Sequence, residues 1–239
     1  MIADTARDLR AIALAATDAS GYFPALYSRV TTRIGASIAA GTFADGPRLD
    51  RFATGFASLY VDAMGEASGR SRCWQASCDA AVDGRLLIVQ QLLLGINAHV
   101  NYDLPRAVVA AADERGDLES IRPDFDTVNS VLADTYVDVV KDLGRVSRWA
   151  NVVAGLGGGN AFNFSLRVAR ARAWQAAERM YPMSEGARHD YASELDRIVS
   201  ALAYLITQPS PLLRPLMALA RRLEEHDARK VVVTLLGER

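Results

Sequence analysis

Residues 86–105 read LLIVQQLLLGINAHVNYDLP, an apolar run that ends in two asparagines, a histidine, an aspartate and a proline. Steps of about 100° per residue along a helix put Ile88, Leu92, Ile96, His99 and Asp103 on one side. Leu86, Gln90, Leu93, Leu94, Asn97 and Asn101 fall on the other, and both sides are largely apolar. A helix that is apolar all round sits in the middle of a protein. A buried central helix over about residues 84–102 is therefore expected, with its polar side chains buried as well.

Outward from this segment the helical period recurs and strand alternation is nearly absent. Phe23, Leu26, Tyr27, Val30, Ile34 and Ile38 keep a helical spacing up to Gly41, and Leu49, Phe52, Phe56, Leu59 and Ala63 do so up to Gly65. GEASGRS at 65–71 is a surface loop by composition. Phe125, Val128, Val131, Leu132, Val139, Leu143 and Val146 mark another helix, and Tyr191, Leu195, Ile198, Leu202 and Leu205 one more before the QPSP break. The expectation is an all-α, single-domain multi-helix bundle over residues 1–239, with roughly eight to ten helices around the buried central one. The apolar C-terminal stretch KVVVTLLGER either packs back on the core or joins a homodimer interface, and the sequence leaves both open.

Composition narrows the function classes. With 239 residues, 50% hydrophobic and 23% charged, the chain can bury one large core. A net charge of −1, with the basic residues spread along the chain, provides no clustered excess of Lys and Arg for a phosphate backbone, so no nucleic-acid partner is expected. The most apolar stretch, 86–100, is shorter than a membrane span and contains Gln90, Gln91 and Asn97, so no membrane role is expected either. The N-terminal MIADTARDLRAIALAATD carries Asp4, Arg7, Asp8 and Arg10 and does not read as a signal peptide. Cys73 and Cys78 are read as reduced thiols, which gives a cytoplasmic location.

The chain has no His-Glu-x-x-His, no Glu-x-x-His pair and no cysteine cluster, so neither a metal nor another cofactor is expected. GLGGGN at 155–160 has no strand before it and no Lys-Ser/Thr after it, and is read as a flexible connection, the sharper alternative being a mobile lid. Asp134, Asp138 and Asp142 repeat every four residues, but Asp134 and Asp138 lie away from the core positions and read as a solvated face. His189 and His226 show no partner pattern.

Two sets of polar residues remain. His99 and Asp103 stand four apart and face the same way, close enough to share a partner or a ligand. Asp103 also has a structural reading, as the N-cap of a helix that has Pro105 in its first turn. Gln90, Asn97 and Asn101 form an amide row whose structural reading is bonding to neighbouring backbone and whose functional reading is a hydrogen bond from Asn97 or Asn101 to a substrate carbonyl. In NAFNFSLRVARARAWQAAERMY, residues 160–181, Phe162, Leu166, Ala173, Trp174, Ala177 and Tyr181 share a face, with Asn163 and Arg170 inside it. A buried guanidinium demands an anion, and the candidates are Asp103 and Asp62.

GINAHVNYDLPRAV, together with RFATGFASLYVDAM, DFDTVNSVLAD and RVARARAWQAAERMY, resembles a bacterial family of helical proteins defined as a domain of unknown function. Its hallmark is similar to Asn-Ala-His-(Ile/Val)-Asn-x-Asp-Leu-Pro, with a later Arg-x-x-Ala-Trp-x-x-Ala. The resemblance spans most of residues 20–182 and draws attention to Asn97, His99, Asn101, Asp103, Arg170 and Trp174. It implies a helical fold and no particular reaction.

The functional expectation is a cofactor-independent enzyme of small-molecule metabolism, a cyclase, isomerase or lyase, acting on an apolar substrate by general acid–base catalysis. His99 is its acid or base, Asp103 orients His99, and Arg170 binds an anionic oxygen. Asn97, Asn101, Asp62, Asn163 and Trp174 complete the candidate binding set. The alternatives are a non-catalytic helical ligand-binding or interaction protein and, more weakly, a metal-dependent hydrolase or oxygenase using His99, Asp103 and Asp62.

Overall fold

The structure is a computed structural model that describes residues 1–65, 68–114, 116–148, 150, 159–208, 211–212 and 214–238. The described chain is all-α. Its first half runs α1 (Ile2–Ala15), α2 (Tyr22–Ala39), α3 (Gly46–Gly65), α4 (Arg72–Asp83), α5 (Ile88–Ala98) and α6 (Leu104–Asp113). The second half runs α7 (Arg122–Val146), α8 (Gly159–Met180), α9 (Glu185–Thr207), α10 (Arg214–Arg222) and α11 (Ala228–Leu235). No strand forms among the described residues, and a lone antiparallel bridge joins Ser147 to Glu224. Helix α2 stops where the sequence predicts, with Gly41 at φ 72° in the left-handed region that glycine adopts at no cost. No helix among the described residues is long and apolar enough to cross a membrane. Most of the GLGGGN segment lies outside the described residues, with only its last two positions in the first turn of α8.

The central helix is as buried as its sequence implies, and its limits differ at both ends. It begins at Ile88 rather than near residue 84, because the acceptors for its first amides lie there. Ile88 N–H donates to the carboxylate of Glu224 at 3.0 Å, and Leu87 N–H donates to the side chain of Gln90 at 3.0 Å. At the other end it does not stop. Residues His99–Asp103 form one π turn, closed by Leu104 N–H donating to the carbonyl of His99, and the chain then continues directly into α6.

Pro105 explains the wider turn. It lacks an N–H and its ring would crowd the carbonyl four residues back, so an added residue per turn just ahead of it relieves the clash without ending the helix. This corrects the expected N-cap at Asp103. That residue has helical backbone angles, φ −79° and ψ −39°, and its side chain makes no cap bond. The carboxylate is instead free to turn inward.

Helices α2, α4 and α9 pack around α5, while α3, α6, α8 and α9 close around the π turn. Gly95 lets α5 approach α2 closely, since a β-carbon at that position would stand 2.5 Å from the ring of Phe23. The apolar C-terminus packs back on the core, the first of the two arrangements the sequence left open. Val231, Val232 and Leu235 of α11 are buried against Tyr22 and Ala25 of α2, Ile88 and Leu92 of α5, and Val139 and Leu143 of α7. Each such side chain stabilises the fold by roughly 1.5–3 kcal/mol.

Candidate functional site

Helices α2, α3, α5, α7 and α8 line a partly open cavity of about 190 Å3. Its wall is almost wholly apolar: Val30 and Ile34 from α2, Phe52 and Phe56 from α3, Val128 and Leu132 from α7, and Leu166 from α8. The central helix contributes Val89, Leu92, Leu93 and Ile96, a stripe at helical spacing that continues through His99 and Val100 of the π turn. The polar side chains in the wall are Tyr27, Thr31, His99, Thr135, Tyr136 and Arg170. Two of the three residues expected to carry chemistry, His99 and Arg170, therefore border one cavity, and the third, Asp103, is bonded to His99.

His99 is 3% exposed and Asp103 is 1% exposed. His99 Nδ1 lies 3.0 Å from Asp103 Oδ2, and the same oxygen accepts the indole N–H of Trp74 at 2.9 Å. Arg106, at the half-exposed edge, reaches Asp103 Oδ1 at 3.4 Å. A carboxylate only accepts, so Nδ1 of His99 carries the proton and Nε2 holds the lone pair. Nε2 is buried without a hydrogen-bond partner among the described residues.

Aromatic rings fix the imidazole on several sides. It stacks on Phe56 with ring centroids 3.7 Å apart and planes 9° apart. Tyr27 meets it edge-on at 4.6 Å and Phe23 at 5.6 Å. Burial pulls the pKa of His99 below its ordinary value, and the hydrogen bond and charge of Asp103 oppose that shift without cancelling it. The neutral, basic form thus prevails at pH 7. Burial also raises the phenol of Tyr27, with the charge of Asp103 adding to it, so this hydroxyl stays protonated.

Arg170 is buried, as its place in the α8 stripe predicts, but neither expected carboxylate is its partner. Its Nε donates to Asn129 Oδ1 at 2.8 Å and one Nη2 hydrogen to the carbonyl of Phe125 at 2.7 Å. The guanidinium also lies over the Phe125 ring at 4.2 Å. Asp103 is already engaged by Trp74, His99 and Arg106, and Asp62 is exposed on α3. No carboxylate among the described residues comes within ion-pair distance of Arg170, and its pKa falls to about 10 through burial, which leaves it charged near neutrality.

The amide row faces away from the cavity. Gln90 donates to the carbonyl of Ile206 at 2.7 Å, Asn97 to that of Val199 at 2.9 Å, and Asn101 to Asn97 Oδ1 at 2.9 Å. These bonds tie α5 and the π turn to α9, which gives Asn97 and Asn101 a packing role in place of the expected ligand contact. Trp174 likewise sits in another core cluster, its N–H donating to Glu178 at 2.7 Å and its ring against Phe125 at 5.0 Å. Asn163 is half-buried near the start of α8 and does not line the cavity. The metal alternative loses Asp62 to the surface, and among the described residues no three His, Cys, Asp or Glu side chains gather to hold an ion.

Sequence reasoning missed Trp74, Phe56 and Asn129, the side chains that hold His99–Asp103 and Arg170 in place. Trp74 carried a usable signal, since a buried indole needs an acceptor for its N–H.

A model of the family of unknown function DUF5995 matches residues 2–209. The chain belongs to this family. The DUF5995 match takes in all five helices that wall the cavity, together with the π turn and α9. No curated protein and no solved structure matches the chain.

Proposed function

We propose that the protein takes a small, mainly apolar molecule into the cavity and acts on it by general acid–base chemistry at Nε2 of His99. The observation that carries this reading is Nε2 itself, buried without a partner among the described residues on a residue of the cavity wall while Nδ1 is held by Asp103. A buried acceptor left unmade costs about 1–3 kcal/mol, which the fold tolerates more readily if a ligand supplies the missing group. With the tautomer fixed, Nε2 receives a proton from a C–H or O–H of the substrate, and Asp103 stabilises the imidazolium that results. An isomerisation or cyclisation follows from returning that proton elsewhere on the same molecule, and an elimination from handing it to the group that departs as the new double bond forms; such steps draw on side chains alone. The two cysteines are unlinked, which suits a reducing compartment, and the reading assigns the protein to the cytoplasm.

The close stacking of His99 on Phe56 also suits a second reading, a carrier that holds the molecule unchanged. Native mass spectrometry of wild type and of His99→Gln, each followed by solvent extraction and identification of the small molecule, separates the two. Different molecules in the two samples, related by a proton shift or ring closure, are expected for the enzyme. The same molecule in both identifies a carrier. An empty cavity in both, at stoichiometric protein, contradicts both readings.

A further inference from the structure

Arg170 specifies what that molecule is. It is 5% exposed, lies in the wall of the cavity, and has neutral acceptors where a buried guanidinium ordinarily has a carboxylate. Of the five N–H donors of an arginine, two are used, by Asn129 Oδ1 and the carbonyl of Phe125. The acidic residue that acts on it most, Asp126, lies beyond ion-pair distance and is already bonded to Arg122 at 2.8 Å. The Phe125 ring beneath the guanidinium offsets part of the desolvation and carries no charge. Among the described residues, one positive charge thus stands at the edge of a low-dielectric space in which every other wall residue is neutral at pH 7.

We infer that the ligand is an amphipathic monocarboxylic acid, its apolar body in the cavity and its carboxylate paired with Arg170. This rests on the cavity reading above and adds the headgroup to it. A carboxylate matches the remaining donors of one guanidinium, which form a planar fork, and its single charge balances a single buried cation. A phosphate would bring a second negative charge, and among the described residues lining the cavity no second cation is present to meet it. Size follows from volume. An apolar cavity of about 150 Å3 accommodates benzene, so 190 Å3 suits an apolar body of roughly seven or eight heavy atoms, that of an eight-carbon acid or of an arylalkanoic acid of similar bulk whose carboxylate sits at the edge beside Arg170.

Isothermal titration of the full chain with octanoate and with octan-1-ol, at a pH well above that of the free acid's titration, tests the headgroup directly. Octanoate is expected to bind on the order of ten- to a hundredfold tighter than the alcohol in wild type. Arg170→Met is expected to abolish that preference, and Arg170→Lys, which keeps the charge, to retain part of it. Equal binding of acid and alcohol in wild type overturns the acid headgroup and leaves the cavity reading standing. Binding of neither overturns both. A preference for octanoate that survives in Arg170→Met removes Arg170 from the proposal. The wild-type comparison decides the headgroup even where a variant does not fold.

Discussion

Replacing His99 by phenylalanine distinguishes a histidine kept for chemistry from one kept for packing. The six-membered ring retains the stack on Phe56 at 3.7 Å and the edge contacts to Tyr27 and Phe23, and the adjoining cavity leaves room for its extra bulk. Two terms of similar size then oppose. Removal of Nε2, buried without a protein partner, returns about 1–3 kcal/mol. Loss of the Nδ1–H bond to Asp103 costs about 1.5–3 kcal/mol, because this acceptor is a carboxylate, although Trp74 and Arg106 still donate to it. The expected net change is within about 2 kcal/mol of wild type, while the small molecule recovered from the variant is the unconverted one. Urea unfolding at pH 7.5, followed by tryptophan fluorescence, reads the first quantity and solvent extraction the second. A loss beyond about 3 kcal/mol would mean that the histidine is a structural member of the core, and the catalytic reading would fall with it.

Asp103→Ala leaves two buried donors, Trp74 Nε1 and His99 Nδ1, without an acceptor, so a loss of about 2–6 kcal/mol is expected in the same urea assay, and a loss below about 1 kcal/mol contradicts the shared-acceptor geometry. Gly95→Ala puts a β-carbon 2.5 Å from the ring and 2.8 Å from the β-carbon of Phe23, an overpacking of about 1–3 kcal/mol that exceeds the helix-propensity gain; an unchanged or higher urea midpoint refutes it. Asn97→Ala removes the bond to Val199 and the acceptor of Asn101, and is expected to lower stability by about 1–3 kcal/mol with octanoate affinity unchanged; a matching loss of affinity would put the amide row in the binding site after all. The folded-state pKa of His99 is depressed by burial, so the unfolded chain binds the proton first. The contribution of the neutral ring is therefore present above the unfolded value near 6.5 and declines as pH falls from there toward the lower folded value, by up to about 1.4 kcal/mol per pH unit. His99→Phe is expected to lose less stability than wild type between pH 7 and pH 5, and parallel curves for the two proteins would contradict the shift.

What the sequence made legible was what periodicity encodes. The apolar run around Leu92 and Leu94 placed a central helix, and the stripe of Leu166, Ala173 and Ala177 turned Arg170 inward, because both follow from 100° steps on a regular helix. The partners of the inward-facing groups were not legible, since they come from elements remote in sequence. Trp74 reaches Asp103 across 29 residues and Asn129 reaches Arg170 across 41, and neither distance leaves a local pattern. Projection also assigned Leu93 to the side opposite His99, whereas both border the cavity, because the cavity subtends a broader arc than one stripe.

The π turn accounts for both the false cap and the geometry of the candidate site. A proline two residues past an aspartate is a fair sign of a helix start, and at Asp103 it misleads because the widened turn lets the helix pass through Pro105 unbroken. With no amide to cap, the carboxylate serves as common acceptor for Trp74 and His99, and the imidazole one turn earlier keeps its other nitrogen unpaired. A regular helix ending at residue 102 would have satisfied Asp103 locally and left His99 without the bond that fixes its tautomer. The same local departure from helical geometry that accommodates the proline therefore also brings His99 and Asp103 together and fixes the tautomer on which the proposed base rests.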